Sequence, residues 1–134
     1  MTIVIRTVVL VAGIAGYTAL LPVLYPDTDG GANIGAGLIA FGLLVVACGG
    51  WGLYDGLRRP IGSVLRVWLV VGLLVGAAWP FLIGLFDGGL DVDLDVVFAD
   101  LLFLAPFTMG LVCVPALVGA AIGSTVAQAR TPRD

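Results

Sequence analysis

The residues of this chain best placed to do chemistry are carboxylates. Five aspartates fall within FDGGLDVDLDVVFAD, residues 86 to 100: Asp87, Asp91, Asp93, Asp95 and Asp100. Alternation in an extended segment puts Asp91, Asp93 and Asp95 on one face, where three carboxylates could meet a cation. A calcium loop of the EF-hand type needs glycine at its sixth position and glutamate at its twelfth. Counted from Asp91 those places hold Val96 and Leu102, so the motif fails. The stretch reads first as a solvated acidic loop, with cation or partner contact as the alternative. Asp100, in the first turn of a helix expected to begin near Val96 or Val97, suits the positive end of the helix dipole. With Asp91, Asp93 and Asp95 it forms the set of candidate polar or ion-contact residues, completed by Thr108 deeper in the last apolar run.

Other reaction chemistry is scarce. The nine acids are all Asp, the six bases are all Arg, and there is no His, Lys or Glu. The usual general bases and amine nucleophiles are therefore missing. Ser63 and Ser124 have no base in sight. Cys48 and Cys113 stand singly inside apolar runs, outside any Cys-x-x-Cys pair, and read as small core residues. No catalytic, cofactor-binding or metal-ligating residues are assigned, no cofactor is expected, and an enzyme is not the expected class. A net charge of −3 gives no reason to expect a nucleic-acid partner.

The elements that carry these residues follow from composition. Of the 134 residues, 60% are hydrophobic and 11% charged, far below the roughly 25% charged in an average soluble domain. Mean hydropathy is +1.16. Lipid is the implied solvent. Four uncharged runs each approach the roughly 20 residues needed to cross a bilayer core, and lipid favours helices because it offers backbone amides no partners. The reading is all-α: a polytopic membrane protein of one domain, 1–134, with transmembrane helices at about 4–26, 31–57, 63–86 and 96–128. The first run is longer than a signal-peptide core and is read as a retained helix.

Charge sets the orientation. Arg6, Arg58, Arg59, Arg66, Arg130 and Arg133 fall on one side of the spans. The positive-inside rule makes that side cytoplasmic, with both termini inside the cell membrane. Seven aspartates occupy the opposite loops and helix ends. Trp51, Tyr54 and Trp68 are expected as interfacial anchors near the inner boundary, and Tyr25 and Trp79 near the outer one. Asp55 is expected to pair with Arg58 or Arg59 at helical spacing, with Gly56 and Pro60 breaking the second helix.

Small residues recur four apart, at Ala12/Gly16, Gly31/Gly35, Gly52/Gly56, Gly72/Gly76 and Gly119/Gly123. Hydrophobic force between helices is weak in lipid, so close backbone approach replaces it. Gly31, Gly35, Gly72, Gly76, Gly119 and Gly123 are the candidate helix-packing positions. Pro106 and Pro115 are expected to interrupt the fourth helix. Sliding the chain so that Pro22 meets Pro80 also brings Asp29-Gly30-Gly31 onto Asp87-Gly88-Gly89, which suggests a parallel repeat of two helix pairs.

This arrangement resembles the SPW-repeat membrane proteins, whose helix pairs each carry Ser-Pro-Trp near the end of the first helix. The corresponding tripeptides are Leu21-Pro22-Val23 and Trp79-Pro80-Phe81, which keep the proline. VWLVVGLLVGAAWPFLIG (67 to 84) and NIGAGLIAFGLLVVA (33 to 47) carry most of the likeness. The resemblance implies the architecture and no particular reaction. Two functional expectations follow. One is a noncatalytic structural or accessory protein that meets membrane lipid and packs with itself or another membrane protein. The other is an oligomeric channel or transporter for a small ion or solute, which needs polar residues inside the membrane.

Overall fold

A computed structural model describes residues 2–24, 34–87 and 94–130. All of these are helical except Arg59 and Pro60. The elements are α1 (Thr2–Leu24), α2 (Ile34–Arg58), α3 (Ile61–Asp87) and α4 (Leu94–Arg130). Each contains a stretch long and apolar enough to cross a membrane.

Helix directions follow from the contacts. Gly52 of α2 lies against Ala116 of α4 and Gly56 against Ala120, so α2 and α4 run parallel. Gly72 and Gly76 of α3 meet Cys113 and Ala105 respectively, so α3 and α4 are antiparallel. Arg6 meets Asp55 while Tyr17 meets Ala36, which makes α1 antiparallel to α2. The N-termini of α1 and α3 therefore share one end with the C-termini of α2 and α4. Arg6, Arg58, Arg59, Arg66 and Arg130 all belong to that end by helix position, and Asp87 and Asp95 to the other.

Helix α4 is the centre of the bundle, packed along both α2 and α3, while α1 leans on α3 and only lightly touches α2. Glycine causes this arrangement. A methyl group at Gly52 or Gly56 would enter the Ala116 or Ala120 backbone, and one at Gly119 or Gly123 would enter that of Gly49 or Leu53. In each case the obstacle is main chain, which no rotamer change can move. On the α3 side, a methyl at Gly76 would sit 2.6 Å from the Ala105 carbonyl oxygen. In the register that aligns Pro22 with Pro80, α1 carries Ile14 and Thr18 where α3 carries Gly72 and Gly76. The α1–α2 pair is far more lightly packed than the α3–α4 pair, despite their similar sequence layout.

Buried side chains form one stripe per helix. In α3 these are Val64, Trp68, Val71 and Val75, at the i, i+4, i+7, i+11 spacing that lines one helical face. In α4 Val112, Ala116 and Ala120 repeat every four residues, with Cys48 of α2 and Leu10 of α1 closing the cluster. The remaining faces show large apolar side chains such as Phe103, Val46 and Leu102, as lipid-facing surfaces do.

Several sequence expectations shift. Helix α4 continues unbroken through Pro106 and Pro115 rather than being interrupted by them. Helix α2 runs past Gly56 to Arg58, and Gly56 serves packing instead of termination. Arg59 and Pro60 make the whole link to α3, where the Pro60 carbonyl accepts bonds from the Ser63 and Val64 amides and the Ser63 hydroxyl. Helix α4 also begins earlier than expected, at Leu94. Asp95 therefore occupies the first turn, and Asp100 falls in the second, where the dipole acts more weakly.

Candidate functional site

The most concentrated polar chemistry among the described residues lies at the arginine end, where α1, α2 and α3 converge. Arg6 sits just past the first turn of α1, Asp55 lies in the last turn of α2, and Trp68 is in the second turn of α3. One Arg6 terminal nitrogen donates to Asp55 Oδ1 at 2.6 Å, and the other lies 2.5 Å from Oδ2. Trp68 Nε1 donates to Asp55 Oδ2 at 3.0 Å. Trp51, one turn before Asp55 on the same face of α2, closes the remaining side. The Arg6 Cζ lies 5.2 Å from the Trp51 ring centre and 5.1 Å from that of Trp68. The two indoles meet edge to face at 79°, 6.2 Å apart.

Burial makes this cluster consequential. Arg6 and Asp55 expose only 2% and 3% of their side chains, and Trp68 exposes none. A guanidinium without its carboxylate would be a naked charge in a dry site, so each partner needs the other. The two aromatic faces add attraction that strengthens where water is excluded. The match is good but incomplete: Arg6 Nε and the neighbouring Thr7 Oγ1 are buried without hydrogen-bond partners, and the second Arg6 terminal nitrogen meets Asp55 as an ion pair without an aligned hydrogen bond. The arrangement ties three helices through one carboxylate.

At the far end of the same α1–α2 seam, the Tyr17 hydroxyl donates to the Ala36 carbonyl at 2.6 Å. The lightly packed seam thus has a polar fastening at each end. Thr18, the other polar residue of that region, bonds back to the Ile14 carbonyl at 3.1 Å.

Sequence reasoning paired Asp55 with Arg58 or Arg59, and the structure corrects this. Arg58 instead lies over the ring of Tyr54, 4.2 Å from its centre, on the exposed side of α2. Trp68, expected as an interfacial anchor, faces the interior. A signal for the true pairing was present: Asp55 is the one acid inside the helices among the arginines of this end, and Arg6 is the one arginine of α1.

The other candidate residues disperse. Asp91, Asp93 and Gly31 lie outside the described residues. Asp95 is exposed at the opposite end of the bundle, and Asp100 lies two turns into α4. Thr108 is buried in α4, on the stripe of Val112 and Ala116. Gly72, Gly76, Gly119 and Gly123 sit at close helix contacts, whereas Gly35 makes no such contact with the described residues. Cys48 and Cys113 are both buried free thiols, and Cys113 Sγ donates to the Trp68 carbonyl at 3.2 Å.

Comparison of the chain with protein-family profiles, curated proteins and solved structures gives no match.

Proposed function

We propose that this protein is a noncatalytic integral membrane protein, a structural or accessory subunit that acts by packing its helices with copies of itself or with a larger membrane complex. The supporting observation is the division of its glycines into two groups. Gly52, Gly56, Gly72, Gly76, Gly119 and Gly123 are consumed by contacts inside the chain, while Gly13, Gly16, Gly35, Gly37 and Gly42, like Gly50, Gly62 and Gly110, have nothing among the described residues within 4 Å of where a methyl group would sit. Residues Ala12, Gly13, Gly16 and Ala19 give α1 an exposed small-residue face. Small residues let another membrane helix approach closely. In this reading the arginine end faces the cytoplasm of a cell membrane, because arginine-bearing loops are retained inside. The likeness to SPW-repeat proteins belongs to the same proposal, as a matter of architecture.

The test is the mass of the purified chain in native nanodiscs, alone and as Gly16→Leu. An oligomer or a retained partner that the substitution releases supports the proposal, and a lone monomer without partners defeats it. The channel alternative draws on Thr108 as a buried polar group, but Tyr17 and Thr18 direct their hydroxyls at backbone carbonyls rather than at a polar path. Ion or solute flux in proteoliposomes, abolished by substituting Thr108 or Asp100, would decide for that alternative.

A further inference from the structure

At the arginine end, on the flank of the bundle formed by α2 and α4, the α2–α3 link and the last turns of α4 enclose an open cleft of about 290 Å³. Its walls include Arg58, Arg59, Pro60, Ser124 and Gln128. We propose that this cleft binds a phosphate group, carried by the headgroup of an anionic membrane lipid.

Four observations support the assignment. First, the cleft has a net positive lining: Arg58 and Arg59 are exposed and form no ion pair among the described residues, while nearby Asp55 is committed to Arg6. Guanidinium groups present paired donors that suit phosphate oxygens. Second, Arg58 is held in place. Its guanidinium rests on the Tyr54 ring at 4.2 Å, so less side-chain freedom is lost when it meets an anion. Third, the floor is rigid, because Gly56, which lines the cleft, packs backbone against backbone on Ala120 of α4, and Gly123, next to the lining residue Ser124, does the same on α2. Ser124 and Gln128 stand one turn apart on α4, at the rim of this floor.

The fourth observation identifies the carrier. Leu57 and Ile61, both exposed apolar side chains, also line the cleft. They continue into the exposed Leu53 and Leu65 of the lipid-facing surfaces of α2 and α3. A ligand seated here has its anion among the arginines and apolar surface running away from it. That combination fits a lipid, and basic clefts at helix ends are suited to such headgroups. The site is distinct from the Arg6–Asp55 cluster and does not depend on the oligomeric state.

The test uses the full chain purified in mild detergent and offered equimolar phosphatidylglycerol and phosphatidylcholine, with bound lipid counted by native mass spectrometry. Wild type should retain phosphatidylglycerol preferentially. The Arg58→Gln/Arg59→Gln variant should lose about thirtyfold in that affinity, the combined worth of two interfacial arginines. Gln128→Glu, which keeps both arginines and places a carboxylate at the cleft, should lose about fivefold. Arg66→Gln, outside the cleft, should retain wild-type preference. Competition by inorganic phosphate then distinguishes the sources. Displacement shows that the phosphate group alone is recognised, free or lipid-borne; persistence of the lipid shows that its apolar chains contribute. Either result upholds the site. Undiminished phosphatidylglycerol binding in both cleft variants overturns it, as does an equal loss from Arg66→Gln, which would mark a diffuse charge effect.

Discussion

Removing Asp55 tests the structural logic of the α1–α2–α3 junction most directly. Asp55→Leu keeps a side chain of similar reach but leaves the Arg6 guanidinium, 2% exposed, without its carboxylate, and the Trp68 indole nitrogen without its acceptor. Breaking a buried pair by deleting one member costs about 3–5 kcal/mol, because the survivor stays desolvated and unpaired. The lost indole bond is a smaller share, since hydrogen bonds between membrane helices average about 0.6 kcal/mol. Replacing both ions is different: Arg6→Met/Asp55→Leu leaves no orphaned charge, and such exchanges are often neutral or better. The double variant should therefore recover at least about 3 kcal/mol over Asp55→Leu, a coupling that a double-mutant cycle isolates. Charge reversal, Arg6→Asp/Asp55→Arg, should rescue only in part, because Trp68 would then present its N–H to a cation. The assay is SDS titration in mixed micelles, followed by helical circular dichroism and by tryptophan fluorescence, to which Trp51, Trp68 and Trp79 contribute. If Asp55→Leu unfolds within about 1 kcal/mol of wild type, or the double variant is no better than the single one, the Arg6–Asp55 pair is not holding these helices together.

Further expectations follow from individual contacts. Gly52→Ala and Gly56→Ala should each destabilise the fold by about 1–3 kcal/mol or more in the same titration, because the added methyl meets main chain of α4; Gly13→Ala, which meets none of the described residues, should leave stability unchanged or raise it by up to about 1 kcal/mol through helix propensity. Trp68→Phe keeps an aromatic face for Arg6 but removes the donor to Asp55 and leaves a void where the fully buried indole was, so it should cost more than about 1 kcal/mol and shift the remaining tryptophan emission. Tyr17→Phe should cost no more than about 1.7 kcal/mol globally, yet hydrogen exchange at the start of α2 should rise, since its bond to Ala36 is the fastening at that end of the seam. Cys48 and Cys113, both buried, should resist maleimide labelling in the folded protein and react on unfolding; rapid native labelling would contradict their placement.

Much of this protein follows from its sequence. Four apolar runs of sufficient length, in a solvent that cannot hydrogen-bond a backbone, leave helices as the natural solution. The one-sided distribution of arginine required the starts of α1 and α3 to share an end with the finishes of α2 and α4. The four-residue recurrence of glycine marked backbone approach, and Gly72, Gly76, Gly119 and Gly123 occupy such contacts. Which helices would meet was another matter. Membrane helices are apolar on every side, so the amphipathic pattern that orients a helix in a soluble protein says little here. Gly35 and Gly76 look alike in sequence, yet the first meets none of the described residues and the second faces the Ala105 carbonyl.

Asp55 shows the same division most plainly. Local spacing offered Arg58 and Arg59, three and four residues away, and solvent exposure let those arginines go elsewhere. Only the approach of α1 and α3 placed Arg6 and Trp68 against the inward face of α2, 49 and 13 residues distant in the chain. The sequence determined that a carboxylate inside an apolar helix must find a cation. The tertiary structure decided which one, because pairing in a dry interior is set by which side chains share a face, and that is a property of packing rather than of spacing.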